Sequence, residues 1–363
     1  MTDTQRLSAF QFFGMLYISR MVINVTYSRY NADTNNLKYA LFSVIIALPL
    51  TILMLIPVHR AIQSGNGKNI IDSVYRISKK FAAVIAIIYT LYFVWVLLHT
   101  ITLFDVMVMH VFTPDLSVTV LSAIGIGACI YGVNRGIQSL GRASILFFVL
   151  IAVALVILVC TLIPEIDIFH FEMPSSENLS AIAQMTLNSV AKNSCIPAMT
   201  FLLPLTNGSH HKITILWATA VHFSTALMTF LMVTVLGEFV RTQTFPVYTV
   251  TAVASLGVTR RFDGIFMGVW LIGMFVKVSL FLWLFSVCVK KFFGRRTAKC
   301  SVVLCSAGVL ILSAVISHTE NLFSVLFSNS IMFIATLITA VIVPLTVYFL
   351  NRAKNAVDNS KQT

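Results

Sequence analysis

A lysine, an asparagine and a serine stand together inside an otherwise apolar stretch, residues 182–207: Lys192, Asn193 and Ser194. A lysine at the centre of a membrane helix costs about 2.5–3.5 kcal/mol on insertion scales. Pro197 follows, and proline removes a backbone donor and disturbs the preceding helical turn. A membrane tolerates such a break only where it faces protein or a polar cavity. We therefore predict a broken helix and a binding site here.

A second cation, Arg20, lies in the first apolar stretch, with Asn24 one helical turn later. Arg20 and Lys192 lie at similar depths in their spans, and matched polar interruptions in two halves of a chain point to a transporter site at the midplane. Both cations suit an anionic group such as a substrate carboxylate. The alternatives are internal pairing for structural reasons and, for Arg20, a position near the interface where its side chain reaches water. The predicted ligand-binding residues are Arg20, Asn24, Asn188, Lys192, Asn193 and Ser194.

Two further ionisable residues are candidates for gating or for an ion site. Lys277 lies in the apolar sequence MFVKVSLF, and Glu238 ends a span in VLGEF. A cation in the helix of Lys277 can occupy the place of a coupling ion. The alternatives are a structural contact of Lys277 with a partner such as Glu238, and a simply solvated Glu238 carboxylate. His222 is interpreted as a hydrogen-bonded core histidine rather than a proton relay.

The composition is that of a polytopic membrane protein. Of the 363 residues, 58% are hydrophobic and 10% are charged, and the mean hydropathy is +0.90. A soluble protein carries about 25% charged residues. The net charge of +12 comes from basic residues in short loops, which is the positive-inside pattern of a protein in a lipid bilayer and not a nucleic-acid footprint.

About ten apolar spans are predicted, each near the roughly 20 residues that cross a bilayer core. Their approximate limits are 9–28, 39–58, 81–104, 114–132, 143–164, 182–206, 213–239, 264–289, 299–317 and 328–350. The first span lacks a small-residue cleavage site, so we expect it to remain as a helix and not to be a signal peptide. Basic loops alternate with loops free of cations, such as the one carrying Asp105 and Asp115, which predicts that both termini are cytoplasmic.

Segment 240–263 departs from this alternation, since it is predicted outside yet carries Arg241, Arg260 and Arg261. It contains FPVYTVTAVASLGV, which is apolar but too short to span easily. We predict an interfacial or re-entrant helix over the vestibule, with an ordinary amphipathic surface helix as the alternative. The whole chain, 1–363, is predicted to be one transmembrane domain with two five-span halves, 1–170 and 171–363. An odd number of spans gives the halves opposite orientations, as inverted repeats require.

Signatures of catalysis, metal binding and cofactor binding are missing from the sequence. There is no Walker A, GxSxG or HExxH motif, and the six cysteines include no CxxC pair. Adjacent histidines, as in His210-His211, cannot readily face one metal ion from a helix. We therefore expect no enzyme activity, no disulfide framework, no metal and no cofactor.

An ordered set of segments resembles the spore-germination permease family, the B subunits of nutrient germinant receptors of endospore-forming bacteria. The set comprises YGVNRGIQSLGRASIL, LLPLTNGSHHK, GEF, TFPVYTVTAVASLG, TRRFDGIF, and Trp270 with Lys277. The family belongs to the amino acid-polyamine-organocation superfamily. The resemblance implies a LeuT-like fold of inverted five-helix repeats with broken helices 1 and 6. It carries over, as scaffold positions, Glu238, Pro246, Arg261, Asp263 and Trp270.

The resemblance implies a receptor subunit in the inner membrane of the spore or cell. It would bind a small nutrient germinant, such as an amino acid, and signal to other germinant-receptor subunits. The chain departs from the family at the centres of helices 1 and 6, where small residues and glycines are common and where this chain has Arg20 and Lys192. The alternatives are a secondary active transporter of amino acids or small anions coupled to H⁺ or Na⁺, and a structural subunit with a collapsed site.

Overall fold

A computed structural model of the chain describes residues 6–26, 39–111, 117–170, 179–256, 259–260 and 263–360. Almost all of this part is helical, because the apolar runs leave backbone groups that only helices satisfy inside a bilayer. The helices are α1 (Ala9–Val25), α2 (Ala40–Ser64), α3 (Ile70–Tyr75), α4 (Lys79–Val111), α5 (Val118–Arg135), α6 (Ile137–Leu162), α7 (Leu179–Ala191), α8 (Cys195–Leu202), α9 (His210–Leu236), α10 (Pro246–Val253), α11 (Asp263–Ser317), α12 (Glu320–Leu326), α13 (Asn329–Leu337) and α14 (Val343–Ser360).

Short irregular elements connect these helices. A π-helical turn, Ile338–Ile342, joins α13 to α14. The 3-10 turns are Ile163–Glu165, Ile168–His170, Leu203–Leu205 and Gly237–Thr242. Two strands of two residues, β1 (Ser255–Leu256) and β2 (Thr259–Arg260), pair antiparallel with Ser255 opposite Arg260.

Seven helical segments of the described part are long and apolar enough to cross a membrane. This confirms a helical, polytopic membrane protein, whereas the expected number of ten spans and the two-repeat division remain predictions. One of the seven is the 55-residue α11, in which Gly294 interrupts the helical backbone with φ 81° and ψ 175°. Positive φ is accessible to glycine because it has no Cβ, so Gly294 joins two successive helices.

The predicted break at residues 192–194 is present, since α7 ends at Ala191 and α8 begins at Cys195. Pro197 explains the position of the break. A regular helix would use the N–H of residue 197 to bond the carbonyl of Asn193, and proline has no N–H. The Asn193 carbonyl instead accepts from the N–H of Ile196 at 3.0 Å, a tighter turn.

The predicted break in helix 1 is wrong, because α1 runs without interruption from Ala9 to Val25, through Arg20. No proline lies in this helix, and its only glycine is Gly14, so every turn around Arg20 keeps its backbone hydrogen bonds. A charged side chain alone does not break a helix when its polar atoms find partners on neighbouring helices.

The prediction that Asp105 lies in a loop is also wrong. Asp105 is buried within α4, where it accepts a hydrogen bond from the hydroxyl of Ser122. The apolar helix continues past the carboxylate as far as Val111 because that hydroxyl satisfies it. Asp115, predicted in the same loop, lies outside the described residues.

A helix forms in the apolar segment after α9, as the sequence predicts. It is α10, which packs Val247 and Val250 into a cluster with Leu231 and Met232 of α9. The depth of α10 relative to a bilayer stays a prediction. Around α1, the central core joins side chains of α2, α4, α8 and α11.

Candidate functional site

Arg20 is the centre of a buried polar cluster between α1 and the break after α7. Its side chain is 1% exposed, and each guanidinium nitrogen donates to a neutral oxygen. Nε donates to Asn193 Oδ1 at 2.8 Å, Nη1 donates to Asn24 Oδ1, and Nη2 donates to the Ser189 carbonyl at 3.3 Å. The positive charge is therefore held by dipoles, without a carboxylate among these partners.

Asn193 extends the cluster toward α2 and α9 through a chain of hydrogen bonds. Its Nδ2 donates to Thr51 Oγ1 at 2.9 Å, and Thr51 Oγ1 lies 3.2 Å from His222 Nε2. His222 Nδ1 lies 2.8 Å from the Ala218 carbonyl, which can only accept. The Nδ1 atom of His222 therefore carries the proton, and Nε2 accepts from the Thr51 hydroxyl. Every donor in the chain from Arg20 to Ala218 then has an acceptor.

Asn24 anchors the other side of the guanidinium. While its Oδ1 accepts from Arg20, its Nδ2 donates to Thr225 Oγ1 of α9 at 2.5 Å. The Thr225 hydroxyl in turn donates to the Val221 carbonyl of its own helix at 2.7 Å. Both asparagines thus present oxygen to Arg20 and nitrogen to a threonine, which fixes the orientation of the guanidinium.

A cavity of about 60 Å³ adjoins this cluster. That volume holds a few water-sized groups. Among the described residues that line it, two have cationic side chains and none has a carboxylate. The lining residues are Arg20, Asn24, Ala40, Ser43, Val44, Met185, Asn188, Ser189, Lys192, Thr225, Met228, Thr229 and Met232.

Asn188 contributes an unsatisfied donor to the cavity. Its side chain is 8% exposed, and its Nδ2 has no hydrogen-bond partner among the described residues. A buried amide without a partner costs about 1–3 kcal/mol. Such an atom in the wall of a cavity is available to a ligand that accepts hydrogen bonds.

Four of the six predicted ligand-binding residues, Arg20, Asn24, Asn188 and Lys192, line the cavity. Asn193 lies behind Arg20, to which it is hydrogen-bonded, and it is fully buried. Ser194 is also buried, and its hydroxyl has no partner in the described part of the chain.

Lys277 is fully buried on α11. Its Nζ donates to the backbone carbonyl of Ser19 at 3.4 Å and lies 5.6 Å from the centroid of the Phe281 ring. The ammonium group therefore sits on the carbonyl of the residue that precedes Arg20. The Ser19 hydroxyl donates to the Met15 carbonyl of the same helix at 2.7 Å.

Glu238 is not brought to this cluster. Its side chain is 69% exposed, and it forms an ion pair of 2.9 Å with Arg241 inside the 3-10 turn after α9. One alternative from the sequence was a contact between Glu238 and Lys277, and the structure does not contain it. The geometry of an exposed pair at this spacing is that of a solvated surface contact.

The other residues singled out by sequence resemblance lie in the scaffold. Trp270 donates through Nε1 to Thr26 Oγ1 at 2.8 Å and stacks on Phe104. Pro246 begins α10, and Asp263 accepts from the Tyr248 hydroxyl at 3.1 Å. Arg261 lies outside the described residues.

Sequence reasoning missed Thr51 and Thr225, which complete the hydrogen-bonded cluster. Threonines in apolar helices usually bond the carbonyl four residues earlier, as Thr225 also does, so they carry no distinctive signal. His222 is buried and hydrogen-bonded, as expected from the sequence. Its link to Arg20 through Thr51 and Asn193 could not be predicted, because it depends on how the helices pack. Among the described residues, no group of three or more His, Cys, Asp or Glu could hold a metal ion.

Comparisons with known proteins give the family and the fold of the chain. Residues 6–323 match the model of a family described as spore germination protein. Among solved structures, the chain is similar to a Na⁺-coupled sialic acid symporter in a substrate-bound outward-open state. The identity is 12%, the TM-score is 0.57, and the match covers 94% of this chain and 88% of the symporter. This likeness shows the LeuT-like fold.

A second solved structure is similar over nearly the whole chain. It is Mhp1, a nucleobase-cation-symport-1 family transporter in a closed conformation with bromovinylhydantoin bound. The identity is 12%, the TM-score is 0.47, and the match covers 96% of this chain and 94% of Mhp1. None of the curated proteins compared with the sequence matches it.

Proposed function

Because the chain belongs to the family of spore germination permeases, we propose that it is the membrane-embedded subunit of a germinant receptor. It binds a small nutrient at the cavity beside Arg20 and signals germination to partner subunits. The site comprises Arg20, Asn24, Asn188, Lys192 and, supporting them from behind, Asn193 and Ser194.

One observation carries this proposal: the unpartnered Nδ2 of Asn188 lies in the same cavity wall as Arg20 and Lys192. Donors and cations without a lining carboxylate favour a ligand with an anionic acceptor group. A carboxylate accepts several charge-assisted hydrogen bonds, which are about twice as strong as bonds between neutral groups. Such a ligand satisfies the orphan amide and balances the charge of Arg20 in one step.

The cavity also indicates the size of the ligand. About 60 Å³ suits a small molecule, and the methionines Met185, Met228 and Met232 also line the cavity. Methionine is flexible and polarisable, so it adapts to short aliphatic groups. An amino acid with a small apolar side chain combines both features, and its identity is part of the proposal.

Signalling requires that the ligand bind two states of the helix bundle with different affinities. The broken helix α7/α8 and the continuous helix α1 meet at Arg20, so a ligand there contacts both elements. The proposal places the protein in the inner membrane of the spore or cell with both termini cytoplasmic. It also retains the division into repeats 1–170 and 171–363 and the contact with other receptor subunits.

The test is a thermal-shift screen of purified protein against single amino acids and other small carboxylates. A true ligand should raise the melting temperature of the wild type, and the shift should disappear in Asn188→Leu and Lys192→Ala. Lys212→Ala, at an exposed position beyond the cavity, is the control and should respond as the wild type does. A ligand that raises the melting temperature of the wild type and of all three variants equally would contradict the proposed site.

A structural subunit with a collapsed site makes the opposite prediction for Lys192→Ala. In that case the substitution lowers protein abundance and leaves the germination response intact for each molecule that remains. The receptor proposal predicts unchanged abundance and loss of the response. Measuring membrane abundance and germination in the same spores separates the two.

A secondary transporter is the second candidate, and the contact of Lys277 with the Ser19 carbonyl favours it. A lysine ammonium there supplies a tethered positive charge at the helix next to the ligand site, in place of a coupling cation. The isolated chain in proteoliposomes should then take up a labelled amino acid. Binding without uptake, together with a requirement for partner subunits, would support the receptor instead.

A further inference from the structure

A second, larger cavity of about 590 Å³ lies where α5 joins α6 and where α11 changes direction. It shares no lining residue with the cavity beside Arg20. Four cationic residues line it: Arg135, Lys290, Arg295 and Lys299. Its lining includes no carboxylate in the part of the chain that the structure describes.

Two glycines with nearly the same backbone conformation shape this cavity. Gly136 has φ 89° and ψ 167°, and Gly294 has φ 81° and ψ 175°. Each turns the chain sharply between two helices, which a residue with a Cβ rarely does at positive φ. Arg135 precedes the first glycine and Arg295 follows the second, so the two turns present their arginines to one space.

Local contacts separate the cavity cations from a neighbouring surface lysine. Lys291 forms an ion pair with Asp72 and lies 4.4 Å from the centroid of the Tyr75 ring. Lys290, the adjacent residue on the same helix, lines the cavity instead. Lys291, outside the cavity, thus has a carboxylate partner in Asp72. The four cations of the cavity line a space that is large enough for an anion.

Arg135 is held in place before any ligand binds. Its Nε and Nη2 donate to the Tyr131 hydroxyl at 3.0 and 2.6 Å, and its guanidinium lies 4.9 Å from the centroid of the same ring. A guanidinium has five donors in a fixed planar arrangement that matches phosphate oxygens. The remaining donors are free to serve an anion without further ordering of this side chain.

The rest of the lining is mostly apolar, and its two polar members are Asn134 and Ser286. Trp283, Val287 and Val302 lie in the wall of the cavity. On the same helix, α11, Phe293 is 69% exposed and Leu304 is 72% exposed. An anionic ligand that also carries long apolar chains fits this combination better than a free inorganic ion does.

We infer that this cavity binds the phosphate headgroup of an anionic phospholipid, with the acyl chains lying along the exposed apolar surface of α11. Basic pockets between membrane helices hold such headgroups, and each Lys or Arg close to an anionic surface contributes a factor of about five in binding. The lipid joins the α5–α6 turn to the turn at Gly294. It therefore stabilises the packing of α5 against α11.

The experiment measures the melting temperature of detergent-purified protein after addition of phosphatidylglycerol or phosphatidylcholine, with native mass spectrometry to count bound lipid. Phosphatidylglycerol should raise the melting temperature and remain bound, and phosphatidylcholine should do neither. Lys290→Gln/Lys299→Gln removes two cavity charges and should weaken phosphatidylglycerol binding roughly 25-fold.

A charge-matched double variant provides the control. Lys80→Gln/Arg296→Gln removes two exposed charges that do not line the cavity and should bind phosphatidylglycerol as the wild type does. Equal losses in both variants would show a diffuse attraction to the basic surface and overturn the inference. If the cavity variant is unstable without lipid, Arg135→Gln replaces it, and this loss of one charge should weaken phosphatidylglycerol binding roughly fivefold.

Inorganic phosphate distinguishes the two sources of the anion. At millimolar concentration it should protect the wild type less than phosphatidylglycerol does at micromolar concentration. Equal protection by phosphate, with no lipid retained in the mass spectrum, would overturn the assignment to a lipid.

Discussion

Arg20 Nε donates to Asn193 Oδ1 at 2.8 Å, although the two residues are 173 positions apart in the sequence. This bond joins the continuous helix α1 to the break between α7 and α8. Asn193 is neutral, so the bond orients the guanidinium and leaves its charge uncompensated for a ligand. Neutrality at position 193 is therefore what the proposed anion site requires.

Asn193→Asp should weaken the binding of an anionic ligand. The new carboxylate keeps an acceptor for Arg20 but adds a negative charge that competes with the ligand. Because two charges about 4 Å apart interact by about 4 kcal/mol at an effective dielectric constant of 20, the affinity should fall by tenfold or more. Isothermal titration with the amino acid found in the thermal-shift screen measures this.

The matched control for that substitution is Asn207→Asp. Asn207 accepts a hydrogen bond from Arg6 at 3.5 Å on the exposed surface. This change therefore also places a carboxylate beside an arginine, but in contact with water. Its ligand affinity should equal that of the wild type. Equal effects of the two substitutions would show that the loss at Asn193 reflects net charge and not the site.

Thr51→Val should destabilise the protein by about 1–2 kcal/mol. Valine has the shape of threonine but leaves Asn193 Nδ2 without an acceptor and His222 Nε2 without a donor. The melting temperature in detergent checks this. Thr100→Val is the control, since the buried hydroxyl of Thr100 bonds only its own helix, at the Val96 carbonyl, and its removal should change stability little.

Gly273→Ala should loosen the contact between α11 and α1. An added Cβ at this position overlaps Cγ2 of Val22, and overpacking of this kind costs about 1–3 kcal/mol. Gly268→Ala, on the same helix, meets nothing within 4 Å and should be neutral or stabilising by up to about 1 kcal/mol. Thermal unfolding of the two variants is the measurement, and a Gly273→Ala protein as stable as Gly268→Ala would contradict the close packing.

The position of Lys277 leads us to expect that ligand binding does not depend on sodium. Because its ammonium group already sits on the Ser19 carbonyl, ligand binding by the wild type should be the same in sodium chloride and in choline chloride. Lys277→Met keeps the apolar part of the side chain and removes the charge, so binding should weaken or become dependent on sodium. Titrations in both salts test this expectation.

Lys354→Met is the control for the sodium experiment. Lys354 also donates to a backbone carbonyl, that of Arg76 at 3.0 Å, but on an exposed surface. Its loss should leave both titrations unchanged. A wild-type protein that binds its ligand only in sodium would contradict the tethered-cation role of Lys277.

The break at Lys192 was predictable because two local costs coincide there. A lysine in a bilayer needs a polar surrounding, and Pro197 removes the hydrogen bond that would continue the helix. Both of these energetic costs can be read from the local sequence. The break predicted at Arg20 had only the first of them, and α1 remains continuous because the guanidinium finds its oxygens on other elements.

The partners of these cations were not predictable, because they come from distant parts of the chain. Thr51 lies 142 positions from Asn193, and Thr225 lies 201 positions from Asn24. Asp105 was assigned to a loop for the same reason, since the Ser122 hydroxyl that allows it to be buried belongs to the next helix. Charge counts along a sequence locate a polar group but do not reveal what satisfies it.

The pairing of Leu7 with the chain beyond α8 has a mechanical consequence. Leu7 N–H donates to the Leu205 carbonyl at 2.8 Å, and Asn207 N–H donates to the Leu7 carbonyl at 3.0 Å. From Ala9 to Arg20, α1 rises about 17 Å, which separates this pairing from Arg20. The pairing at Leu7 is parallel, and together with the bond of Arg20 to Asn193 it ties the first part of the chain to the broken helix and its end at two places. Because α1 is continuous between these two contacts, a displacement at one of them should be transmitted to the other.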